Sequence, residues 1–150
     1  MKRIALVTAS LLLLSACGGS SSPEPVTDLN PAMGGIWAGT YTVTATGQSP
    51  QTAPGTLEVA VAGRNATITK VCPDGTGTLV ATGSGNNAAW TGTLTCPPVA
   101  VSICPTVVVT LTSANGSLSA DGLTLTVVAY GRASACGLTP AVTLGFMGGK

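Results

Sequence analysis

Trp37-Ala38-Gly39-Thr40-Tyr41-Thr42-Val43-Thr44 is the stretch that decides the fold. Threonines take one face, while Trp37, Tyr41 and Val43 take the other. The period is two, so the segment is a strand with one wet and one dry side. The same alternation returns in Thr56–Val61, Ala66–Val71, Thr78–Val80, Trp90–Thr95, Val107–Thr112 and Leu123–Val127, and more weakly over Val142–Phe146. Threonine suits these positions because its branched Cβ packs on a pleated surface while its hydroxyl meets water. No stretch carries an apolar face at helical spacing long enough to make a helix.

Turn residues separate the runs: Gly63-Arg64-Asn65, Pro73-Asp74-Gly75, Ser84-Gly85-Asn86-Asn87, Asn115-Gly116 and Asp121-Gly122. Short turns between strands of similar length predict an all-β fold, a small antiparallel up-and-down β-barrel of about eight strands that closes on itself and leaves no exposed edge. Ser113–Gly122 is expected to be one long loop or flap, with a ninth short strand at Ser117–Ala120 as the alternative. A membrane-spanning barrel fits less well than a soluble one. Most of the runs are shorter than the roughly 9–11 residues of a tilted crossing, and aromatics are too few for two interfacial girdles.

Composition narrows the function. Charged residues make up 7% of the chain, against about 25% in an ordinary domain. Histidine is absent, which removes Ser-His and Cys-His nucleophile pairs and every histidine metal site. Arg64, Lys70, Arg132 and Lys150 are the only cations after residue 16, too few and too scattered for nucleic acid.

The N-terminus is a targeting segment. Met1-Lys2-Arg3 is basic and Ile4–Leu14 is apolar, too short to span a bilayer as a helix of about 20 residues. Leu14-Ser15-Ala16-Cys17 resembles the lipobox of bacterial lipoproteins. The resemblance implies cleavage before Cys17, lipidation of Cys17 with fatty acyl chains such as palmitate, and anchoring to a membrane of the cell envelope. Family members kept at the inner membrane often carry Asp after the cysteine, and here Gly18 stands there, which points to the outer membrane. The expected organisation is a signal peptide at 1–16, a lipidated flexible tether rich in Gly, Ser and Pro at 17–34, and an all-β domain at 35–150.

Four further cysteines, Cys72, Cys96, Cys104 and Cys136, predict two disulfides in an exported domain. In an eight-strand meander all four gather at one end of the barrel. Three pairings are open, and the short loop Cys96-Pro97-Pro98 to Cys104 favours Cys96–Cys104 with Cys72–Cys136. Zinc is a poor rival, because no close Cys-x-x-Cys pair is present and the compartment is oxidising.

Candidates for chemistry are sparse. Glu58 is expected to point outward, opposite Leu57, Val59 and Val61. With the register reversed it would be a lone acid in an apolar interior. Asp74 and Asp121 precede glycines and read as turn residues. Ser84 and Ser117 have no base to activate them, so no enzyme, cofactor or metal is expected. The repeated Thr-x-Thr pairs resemble those of some ice-binding proteins but lack a fixed repeat. Gly35-Ile36-Trp37 resembles the Gly-x-Trp opening of lipocalins and related calycin barrels, in which an arginine from late in the chain often covers the tryptophan. Arg132 is the candidate for that role, although eight strands place it at the other end from Trp37. Two functions from different classes follow as expectations: a lipid-anchored envelope barrel holding a small apolar or amphipathic ligand, or a protein–protein adaptor or structural surface component. An adaptor would work through a strand edge or the 113–122 loop.

Overall fold

The computed structural model describes residues 27–72, 75–97, 99–101 and 104–150. The signal segment, Cys17, the first part of the tether and Asp74 lie outside the described residues, as does the side chain of Cys104. After a single 3-10 turn at Pro31–Met33 the chain is all strand: β1 Gly35–Ala45, β2 Gln51–Ala62, β3 Asn65–Lys70, β4 Thr76–Ser84, β5 Asn87–Thr95, β6 Val99–Val101, β7 Cys104–Leu118, β8 Thr124–Ala135 and β9 Ala141–Gly149. Every pairing between these strands is antiparallel, and β1 pairs with both β2 and β9 while β5 pairs with β7. The sheet therefore closes as an eight-strand up-and-down barrel, with β6 as a short extra strand on the rim of β7.

The alternation read from the sequence puts the apolar residues inside. Trp37, Trp90, Phe146, Leu57, Ile68, Leu79, Leu94, Leu111 and Leu125 are fully buried, and no polar or charged residue is buried among the described residues. The threonines form the outer wall. Pro54 sits in the half of β2 that extends past β3, so its missing N–H breaks no ladder there.

The region Ser113–Gly122 is not a loop. Residues 113–118 continue β7, paired with β5 on one side and β8 on the other, and the turn is confined to Ser119–Gly122, where Gly122 N–H donates to Ser119 O at 2.9 Å. No separate strand exists at Ser117–Ala120; the short extra strand is Val99–Val101. The cause is a bulge between Leu111 and Ser113. Thr112 is the extra residue, so Leu111 and Ala114 both face inward and the period of two slips by one. Asn115-Gly116 is likewise strand rather than turn. A Cβ on Gly116 would lie 2.7 Å from Trp90 Cζ3, so glycine is there to make room for the indole.

The two ends differ. One, the plugged end, carries the starts of β1 and β5 and the ends of β7 and β9. It is closed by Leu29 and Met33, 2% and 0% exposed, which composition had placed in the tether. Leu29 N–H donates to Gly63 O at 3.1 Å and Asn30 N–H to Gly85 O at 2.7 Å, so this segment crosses the end of the barrel. The opposite, cysteine-bearing end holds the chain around Cys72, Cys96, Cys104 and Cys136.

Candidate functional site

At the plugged end, Trp37 Nε1 donates to Met33 O at 2.9 Å. Lys150 lies over the indole, its Nζ 4.5 Å from the ring centroid. The same ammonium donates to Ala32 O at 2.7 Å and to Gly34 O at 2.6 Å. The last residue of the chain thus locks the segment that enters β1. Sequence reasoning missed this lysine, since a cation after Gly148-Gly149 reads as a solvated tail. Arg132, the candidate for covering Trp37, is at the far end of β8, opposite Ala141, and donates to Thr139 O at 3.4 Å. Asn30 Nδ2 donates to Asn86 Oδ1 at 2.9 Å, and Asn86 Nδ2 to Ser119 O at 3.3 Å, tying three turns together.

At the cysteine-bearing end one disulfide is defined among the described residues, Cys72–Cys96, with Cα atoms 5.8 Å apart. This overturns the expected Cys96–Cys104 and Cys72–Cys136 pairing. The reason is topological: β3 and β5 flank β4, so the residues leaving them sit across one strand at the same rim. Cys136 occupies the turn between β8 and β9 at φ 47°.

Glu58 and Asp121 make structural contacts. Glu58 faces outward, as expected, and pairs with Lys70 at 3.4 Å. Both side chains are exposed enough that the pair contributes little. Asp121 accepts from Ser119 Oγ at 2.5 Å and from Leu123 N–H at 3.0 Å, the geometry of a turn residue. The Ser119 hydroxyl, and then the Leu123 amide, hold its carboxyl below the usual carboxylate value. Ser84 ends β4 and Ser117 lies in β7, on the outer wall. Among the described residues no group of metal-ligating side chains converges. Burial raises the Tyr41 phenol, whose O–H donates to Thr56 O at 2.6 Å while its ring packs 4.8 Å from that of Phe146.

The interior is filled by these side chains. An open depression of about 390 Å³ lies on the outside, over Thr82, Ser84, Asn87, Ala89, Asn115 and Gly116. Threonines on the wall align across strands in short rows, Thr76–Thr95–Thr110 being the longest before Arg132 interrupts it. The wall is curved, and so offers no flat lattice of hydroxyls. An apolar inside and a hydroxyl-rich outside are the reverse of a membrane-spanning barrel. Compared with protein-family models, with curated proteins and with solved structures, the chain matches none.

Proposed function

We propose that this chain is a non-enzymatic lipoprotein of the bacterial cell envelope, held at the outer membrane by acyl chains on Cys17, with its barrel serving as a structural surface component or adaptor. The observation that carries the reading is Leu14-Ser15-Ala16-Cys17 directly after a basic start and an apolar run. The chain is packed from Leu29 on, so a short tether is all that separates the barrel from Cys17. The Cys72–Cys96 bond fits an exported domain.

Of the two roles weighed from sequence, the packed interior favours the structural one over carriage of an apolar ligand. Trp37, Trp90 and Phe146 occupy the volume that such a ligand would need. The adaptor reading no longer uses a 113–122 loop, because that segment is a barrel strand. A second disulfide, Cys104–Cys136, completes the picture. Cys136 is not a free thiol, and Val107 pairs with Ala135, so the segments carrying both cysteines leave the barrel side by side.

Growth with an alkyne analogue of palmitate tests the anchor. The wild-type chain is expected to take up the label and lose its first 16 residues. Cys17→Ser should remain unlabelled at full precursor mass. Label retained in Cys17→Ser overturns the reading.

A further inference from the structure

Among the described residues six large apolar side chains are exposed, and three of them cluster at the plugged end: Ile36, 65% exposed, Leu123, 62%, and Met147, 61%. The register brings them together. Ala38, Gly149 and Thr124 form one row across β1, β9 and β8. Ile36 lies two residues beyond that row, Leu123 one residue beyond it, and Met147 two residues short of it. At about 3.3 Å per residue and about 4.8 Å between strands, the three fall within about 15 Å of one another. Gly149, in the row between them, carries no side chain. Exposed Pro31 and Ala32 extend the patch, since a Cβ on Gly122, next to Leu123, would meet Ala32 Cβ at 3.9 Å. Lys150 stands in the middle, but its ammonium is turned onto the carbonyls of Ala32 and Gly34. The other three, Val80, Tyr130 and Leu138, lie on separate parts of the molecule.

The path of the chain says what covers this patch. Asp28 O accepts from Gly85 N–H at the same end, so the tether emerges there. Thr27 lies ten residues after Cys17, a reach of at most about 36 Å. We propose that the plugged end rests on the bilayer surface, with Ile36, Leu123 and Met147 at headgroup depth and the disulfide-bearing end facing away. This inference rests on Cys17 carrying the lipid. A tether this short holds the patch at an effective concentration on the order of millimolar, so three side chains suffice to keep the barrel docked. Arg64 and Lys150 balance Asp28 and Asp121 at this end. Docking therefore needs no anionic lipid and persists in salt.

The test uses the full acylated chain in phosphatidylcholine vesicles whose acyl chains are brominated near the headgroup. Tryptophan is placed at Leu123→Trp on the patch and at Leu138→Trp on the opposite end, and the unsubstituted chain supplies the baseline of Trp37 and Trp90. Bromolipid is expected to quench the added emission of Leu123→Trp by more than half and to leave that of Leu138→Trp unchanged, equally in low and high salt. A vesicle-bound chain whose two reporters are equally unquenched overturns the docking while leaving the anchor intact. A chain that fails to acylate and stays in the supernatant overturns both. Blue-shifted Leu123→Trp emission without quenching, together with a dimer mass, would assign the patch to a second copy of the chain and overturn docking.

Discussion

The two tryptophans are both buried yet differently placed. Trp37 has a partner for its N–H and a cation over its face. Trp90 Nε1 is buried without a hydrogen-bond partner, and a buried unmet donor costs about 1–3 kcal/mol. Trp37→Phe is therefore expected to destabilise the barrel by about 1–3 kcal/mol, through loss of the bond to Met33 and weakening of the lysine contact. Trp90→Phe should cost less than about 1 kcal/mol, because the lost packing is offset by removal of the orphan donor. Urea melts of the two variants decide it, and equal losses would remove the distinction. The residue scale also shows what sequence hides. Lys150 and Met33 look like tail and tether, but Lys150 is fixed by the distant carbonyls of Ala32 and Gly34, and Met33 is buried in the core.

At the scale of elements, β7 is the informative strand. Its Leu111–Ser113 bulge changes which residues face inward, so a strand of 15 residues reads as a shorter strand followed by a polar loop. Bulges are invisible to a strict period of two, and Asn-Gly imitates a hairpin turn. The expected consequence is measurable. Gly116→Ala should destabilise by about 1–3 kcal/mol by forcing a methyl against the Trp90 ring, where a solvent-exposed strand glycine would tolerate alanine. Removing residues 113–122 should abolish the sheet signal in far-ultraviolet circular dichroism, since it cuts the ladders to both β5 and β8. A folded deletion variant would contradict the observed pairing. By contrast, Gly63-Arg64, Gly85-Asn86 and Asp121-Gly122 are turns in the structure as in the sequence, because their glycines take the left-handed φ of 60°, 56° and 74° that the turns require.

Few titratable groups are buried among the described residues. Histidine is absent, and no carboxylate or amine is buried among the described residues. Tyr41 is the main exception. Its folded pKa is raised above the ordinary 10.0 by burial, so the folded state holds the proton more tightly than the unfolded one. Its contribution is complete below the unfolded value and is lost as pH rises past it toward the folded value. Asp121 has the opposite sign. Its folded pKa lies below the ordinary 3.8, so its small, solvent-screened contribution is present above that value and fades as pH falls. Thermal melts should therefore show a broad plateau across neutral pH, a slight decline in acid and a clear decline above pH about 10. Tyr41→Phe should flatten the alkaline limb. A midpoint that falls steeply between pH 5 and 8 would mean that a titrating group has been overlooked.

The sequence by itself determined the fold class, the number of barrel strands, the inward side of Trp37, Tyr41, Leu57 and Val59, and the gathering of the cysteines at one end. All of these follow from the period of two and from local turn chemistry, which neighbouring residues express directly. Tertiary structure alone decided the Cys72–Cys96 pairing, the continuation of β7, and the plug formed by Leu29, Met33, Trp37 and Lys150. Each depends on which distant segments closure of the barrel brings side by side. The outward patch of Ile36, Leu123 and Met147 belongs with them, since it exists only through the register of β1, β9 and β8.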